Sequence, residues 1–147
     1  MHGRYHSHTL RSGRRSERGR TYLVTTATLR RIPYFADHAC ARVASRICHR
    51  QDTWHTSTCL AWIVMPDHWH GLIELGDEPL GRVMGRFKAA VARELHRSGM
   101  WQEGFHDRCL RSDQNLHAAA RYIVANPVRA GIAPSVMEYP YWHTVWL

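Results

Sequence analysis

The stretch that most narrows the possible folds is residues 58–75, where TCLAWIVM is followed by Pro66-Asp67 and then HWHGLIEL. Two short apolar runs joined by a proline-aspartate turn signal read as a β-hairpin. Side chains alternate between the faces of a strand, so His68 and His70 leave the sheet on one side and Trp69 on the other. The hairpin therefore demands an apolar layer over Trp69 and sets two imidazoles side by side on the opposite face. Taken alone, the triplet is more readily two ordinary polar positions than a metal site, because the chain has 12 histidines and His6 and His8 form another such pair.

The flanking elements extend the pattern. Residues 21–30, TYLVTTATLR, are rich in β-branched side chains and predict a first strand that ends before Ile32-Pro33. Residues 35–50 predict a helix, with Phe35, Ala39, Val43 and Ile47 at four-residue spacing and Arg42, Arg46 and Arg50 elsewhere. After a loop at residues 76–79, the positions Val83, Met84, Phe87, Val91 and Leu95 share one face of a helix, and Arg82, Arg86, Arg93 and Arg97 share another. Residues 101–110 read as a weaker strand. Residues 113–126 read as a helix with Asp113 in its first turn, Leu116, Ala119 and Ile123 as its core stripe, and Pro127 and Gly131 as its terminators. Residues 141–147 supply a final short strand. The order βαββαβ followed by αβ is that of an α+β, ferredoxin-like split βαβ with an added C-terminal helix and strand.

A chain of 147 residues with 44% hydrophobic content fits one core. No apolar run approaches the ~20 residues of a membrane helix, and the first 20 residues lack the apolar centre of a signal peptide, which predicts a soluble cytoplasmic protein. Cys40, Cys48, Cys59 and Cys109 are scattered without CxxC pairing, as expected of reduced, mostly buried thiols. The charge is unevenly placed. Residues 1–31 hold eight arginines against Glu17 alone, a net +7, whereas the remaining 116 residues hold 12 basic side chains against 11 acidic ones. Residues 1–20 thus read as a flexible basic arm on a single domain spanning 21–147. A polyanionic partner follows, with nucleic acid ahead of a membrane because no hydrophobic anchor accompanies the charge.

Tyr122 and Asn126 stand four residues apart on the last long helix, so a phenol and an amide face one place. By itself this spacing also suits a tyrosine packed at a helix edge and an asparagine that ends a helix before proline.

Several segments together resemble the HUH-type Y1 (single-tyrosine) transposases, in particular the group associated with repetitive extragenic palindromes (REP). They are GRTYLVTTATLR (19–30), WIVMPDHWHGLIEL (62–75), Phe87-Lys88 on the arginine-bearing helix, WQEGFHDRCLR (101–111) and RYIVANPVRAGI (121–132). The resemblance implies an antiparallel ferredoxin-like sheet with the histidines on a central strand. It further implies Tyr122 as the nucleophile and His68, His70 and Asn126 as ligands of Mg²⁺ or Mn²⁺; because an amide is a weaker ligand than an imidazole, His117 or His106 is the alternative third ligand.

The implied activity is metal-dependent nicking and strand transfer of single-stranded DNA near REP hairpins through a 5′-phosphotyrosine, in a cytoplasmic, nucleoid-associated protein. The alternative is a non-catalytic hairpin-binding protein that keeps the fold. A metal-dependent hydrolase in which Tyr122 is only structural is a third reading. Candidate DNA contacts are Arg14, Arg15, Arg18 and Arg20 of the arm and Arg82, Arg86, Lys88 and Arg93 of the helix. A monomer is favoured over a dimer. Trp62 and Trp69 are read as core residues rather than base-stacking platforms.

Overall fold

The computed structural model describes residues 16–111 and 114–146. Arg14, Arg15, His6, His8 and Asp113 lie outside the described residues. The chain runs β1 (Thr21–Ala27), α1 (His38–His49), α2 (Gln51–Trp54), β2 (Thr58–Met65), β3 (His68–Glu74), α3 (Leu80–Glu94), β4 (His106–Leu110), α4 (Gln114–Val124), α5 (Asn126–Arg129) and β5 (Trp142–Thr144). The five strands form one antiparallel sheet in the order β4-β1-β3-β2-β5. This is the expected α+β, ferredoxin-like arrangement, with β5 added beside β2. Among the described residues no helix is long and apolar enough to cross a membrane.

Pairing register assigns each side chain to a face. Trp69 pairs with Val64 and Thr26, and Gly71 with Trp62 and Val24, so these residues share one face; His70 pairs with Ile63 and Thr25 and sits on the other. The Trp69 face carries α1, α2 and α3. Trp69 packs against Phe87 with ring centroids 4.7 Å apart, and Trp54 stacks on both rings at 6.0 and 5.5 Å. The Trp69 indole N–H donates to Cys48 Sγ at 3.3 Å. All three rings are buried, as is Trp62, and each contributes on the order of 2–3 kcal/mol through removal of apolar surface from water. Gly71 is required here because a Cβ would collide with the Trp69 indole lying across it. The core assignment of Trp62 and Trp69 therefore agrees with the structure.

Three boundaries differ from the sequence expectation, each for a local reason. The first strand stops at Ala27 because Arg30 and Arg31 take left-handed backbone angles, φ 54° and 57°. The first helix begins at His38 rather than near residue 35, since Asp37 Oδ1 accepts the Ala39 N–H at 2.8 Å and caps it. Its buried stripe is accordingly Ala41, Ala44, Ile47 and Cys48, and Ala39 is exposed. The third concerns the end of the tyrosine helix, which stops at Val124, two residues short of the expected Asn126, and the position of Pro127. Pro127 lies buried in the first turn of α5, where a missing N–H costs nothing, and the helical path continues to Arg129 before Gly131 turns it at φ 73°.

The arm meets the domain earlier than Arg20. Ser16 Oγ accepts from Leu80 N at 3.0 Å, Gly19 N donates to Leu75 O at 2.8 Å, and Arg18 pairs with Asp77 at 3.0 Å. The four cysteines are free thiols.

Candidate active site

On the sheet face away from Trp69, α4 packs over β2 and β3, burying Ala119, Ala120 and Ile123. It leaves the β1 end of that face open, where His68 and His70 stand. Their rings meet edge to face with centroids 4.7 Å apart. The Nδ1 of His68 lies 2.8 Å from Asp67 Oδ1, and the other Asp67 oxygen accepts from Arg31 Nε at 3.1 Å. The Nδ1 of His70 lies 2.8 Å from Thr25 Oγ1 on the neighbouring strand. With Nδ1 engaged, Nε2 is the nitrogen each ring offers to a ligand, and the partners fix both ring planes.

Burial drives both imidazoles towards the neutral form. It pushes His70 down to about 3, helped by the charges of His68, Arg129 and Arg31. His68 is also lowered by burial, against a raising influence from the Asp67 carboxylate. At Asp67 burial opposes the charge, but hydrogen bonds from His68 and Arg31 outweigh it and hold the carboxyl below its usual range. Neutral imidazole is the state a cation requires of its ligand. Among the described residues no cluster of three or more His, Cys, Asp or Glu side chains is gathered for a metal. The pair therefore fits a cation whose remaining positions are filled by amide, substrate or water oxygens.

The polypeptide near this pair is held in an uncommon conformation. The left-handed Arg30 and Arg31 follow Thr28, whose hydroxyl donates to Ile32 O and Asp67 O at 2.8 and 3.1 Å. A non-glycine residue in that region costs roughly 1–2 kcal/mol, so the loop is over-determined by its bonds to residue 67. Those bonds aim Arg31 at Asp67 and keep the His68 support in place.

Tyr122 sits on α4 with its side chain half exposed, 55% overall. The Arg129 guanidinium lies 3.9 Å from its ring centroid, and Arg129 Nη2 donates to Tyr122 O at 2.8 Å. The same guanidinium helps depress His70, so it stands within electrostatic reach of that imidazole as well as of the tyrosine. Asn126 opens α5 and is partly buried, with its carbonyl accepting from Ala130 N at 2.9 Å. His106 shares the histidine face, paired with Thr25, whereas His117 lies edge-on to Trp146 at 4.6 Å, over the β5 side of α4.

The basic residues proposed from sequence are dispersed. Arg86 forms an ion pair with Glu78 and donates to Thr53 O at 3.0 Å. Lys88 Nζ donates to Gln102 O and Gly104 O, both at 2.9 Å, and burial lowers it to about 8. These bonds tie α3 to the loop that, with Thr25, Ala27, Arg31 and His106, lines a cleft of about 380 Å³ on the histidine face. Arg82 and Arg93 are exposed on α3, on the Trp69 side of the sheet. Arg20 approaches Cys109 Sγ at 3.3 Å on the β4 edge. Sequence reasoning passed over Thr25, Asp67, Arg31 and Arg129. Arg129 was accessible as the residue two turns beyond Tyr122 had the helix been carried through Pro127. Thr25 reaches the site only through strand pairing.

A ferredoxin-like sheet carries a histidine pair on a central strand and a tyrosine on a helix over the same face, and the comparisons with known proteins bear on this arrangement. No family model matches the chain. It is 26% identical over 83 residues to a REP-associated tyrosine transposase of Escherichia coli strain K12, covering 55% of this chain and 50% of that protein. It is 29% identical over 98 residues to a putative REP-associated tyrosine transposase of Haemophilus influenzae, covering 56% of each. The chain thus spans about half the length of the curated relatives it matches. Its fold matches the solved structure of a REP-associated tyrosine transposase bound to a REP hairpin, with a TM-score of 0.73 over 88% of this chain and 79% of that one, at 22% identity. The chain is similar to the REP-associated tyrosine transposases, as its motifs indicated.

Proposed function

We propose that this protein is a metal-dependent, single-tyrosine nicking and strand-transfer enzyme acting on single-stranded DNA beside REP hairpins. The observation that carries the reading is the sharing of one sheet face by Tyr122 and by two neutral imidazoles whose Nδ1 atoms are already engaged. The resemblance to REP-associated transposases supplies the substrate class.

In the proposed reaction the Tyr122 Oη attacks phosphorus and the bond to the 3′ oxygen breaks, leaving a 5′-phosphotyrosine and a free 3′-hydroxyl. The phenol gives up one proton and the leaving oxygen takes one on, so protons balance. Phosphodiester energy is retained in the tyrosyl ester, and attack by a 3′-hydroxyl rejoins the strand. His68, His70 and Asn126 would hold Mg²⁺ or Mn²⁺, which when bound supplies positive charge against the scissile phosphate. Asp67 and Thr25 orient the two rings, and Arg129 holds the Tyr122 ring on its α4 side while contributing a fixed positive charge. Arginines within residues 1–20 add backbone affinity.

The test is incubation of the protein with end-labelled hairpin DNA carrying single-stranded flanks, with Mg²⁺, Mn²⁺ or EDTA, followed by denaturing gels. A metal-dependent adduct on the 3′-side fragment, absent from Tyr122→Phe, is expected. Cleavage without an adduct would assign the chemistry to an activated water instead. Binding without cleavage would leave a hairpin-binding protein.

A further inference from the structure

Beyond Arg129, the basic side chains nearest the cleft at Tyr122 lie not on the arginine-bearing α3 but on the β4 edge. Arg20, Arg108 and Arg111 line, with Asn115, a cleft of about 540 Å³ along that edge. Arg108, Leu110 and Asn115 also line a second cleft of about 210 Å³, whose other walls are Leu23, Ala118, Ala119 and Tyr122. The shared residues make the two clefts one path. It begins at Arg20 and Arg111 and finishes at the half-exposed tyrosine.

The chemistry of this path is that of a single nucleic-acid strand. The three arginines are exposed. Among the described residues neither Arg108 nor Arg111 has a carboxylate within ion-pair distance. Asp107, the one acid on the lining, is buried and belongs by register to the opposite sheet face. Between the basic rim and the tyrosine the lining sets the apolar side chains of Leu23, Leu110, Ala118 and Ala119 beside the Asn115 amide. A basic rim tracks a phosphate backbone and apolar side chains accept an unstacked base, a combination that suits one strand rather than a duplex. By contrast, Arg86 on α3 is held by Glu78 and Thr53, and Arg82 and Arg93 lie on the far side of the sheet.

We propose that the β4-edge groove, with Arg108 and Arg111 as its principal contacts and Arg20 at its outer end, binds the single-stranded DNA flank that leads to Tyr122. This rests on the nicking reading above for the position of the scissile phosphate, but its test needs no chemistry. In EDTA, anisotropy titrations would compare a DNA hairpin with oligothymidylate flanks and the same hairpin without them. The proteins would be the wild type, Arg108→Gln/Arg111→Gln, and Arg82→Gln/Arg93→Gln, each checked for an unchanged melting temperature.

The β4-edge variant is expected to bind the flanked hairpin about tenfold more weakly, with its log–log salt slope shallower by about 1.4 for two lost phosphate contacts to single strand. Its affinity for the bare hairpin is expected to stay at the wild-type value, and the α3 variant to retain the whole contribution of the flank. Equal affinities of wild type and β4-edge variant for the flanked hairpin would overturn the proposal, as would an equal loss on the bare hairpin. Flank-specific loss in a protein that forms no tyrosyl adduct would sustain the groove and remove the nicking reading.

Discussion

The two faces of this one sheet are built from different materials although they share every strand. Beneath α1, α2 and α3 the face is aromatic and closed, with Trp54, Trp62, Trp69 and Phe87 all buried. The face beneath α4 is covered only in part, and its open end carries two directed sets of hydrogen bonds, His68 to Asp67 and on to Arg31, and His70 to Thr25. Apolar packing is non-directional and tolerates no water; a polar site needs fixed directions and access. Strand alternation lets β3 serve both demands with successive residues, so stability and chemistry are separable by single substitutions.

The sharpest way to break that contrast is to change neighbours on β3. Trp69→Ala is expected to cost about 3–5 kcal/mol in urea unfolding by opening a core cavity. His70→Ala is expected to cost about 1 kcal/mol, for one hydrogen bond to Thr25, while removing adduct formation. Similar unfolding costs for the two variants would mean that the histidine face is as much core as the other. A smaller effect is expected at Arg129. Arg129→Gln should slow single-turnover adduct formation about tenfold, equivalent to ~1.4 kcal/mol, with hairpin affinity unchanged and partial recovery in Arg129→Lys. Equal rates in all three proteins would reduce Arg129 to a surface contact.

A pH-dependent effect concerns Lys88, which belongs to neither face alone because it bridges α3 to the loop beside the histidine-face cleft. Its folded value of about 8 lies below the ordinary 10.5. Between those values the unfolded chain holds a proton that the folded chain does not, so stability rises with pH through that window. The gain is on the order of 1–3 kcal/mol and should be missing from Lys88→Met, as denaturation at pH 7.5 and 10 would reveal. Parallel pH dependence in the two proteins would show a solvated amine and a loop not anchored through it.

What was legible in the sequence followed the same division. The hairpin at residues 58–75, the opposite facing of Trp69 and the histidines, and the core stripe Val83, Met84, Phe87 and Val91 all depend on local periodicity, and all are found. Elements governed by one polar atom were less legible: Asp37 moves the start of α1 and with it the buried stripe. The surroundings of the site were least legible. Thr25 and Arg108 reach it through pairings between distant strands, and Arg86, which looks free on a helical wheel, is tied down by Glu78 from the preceding loop.

The interleaving of His68, Trp69, His70 and Gly71 also limits how such a protein can change over time. A one-residue insertion or deletion at the start of β3 would exchange the faces, driving an imidazole among the tryptophans and an indole into the open end of the sheet. Point substitutions can be tried singly in this segment, but length changes cannot, because the indole lying over Gly71 keys the strand to its neighbours. The loop at residues 102–105 is tied less closely, since its bonds to α3 run from the Lys88 amine to the backbone carbonyls of Gln102 and Gly104, with Gly104 at φ 79° and the buried Phe105 as its fixed points. Variation in substrate preference among relatives should therefore collect as length and composition changes around the cleft, while the spacing of the histidine strand stays fixed.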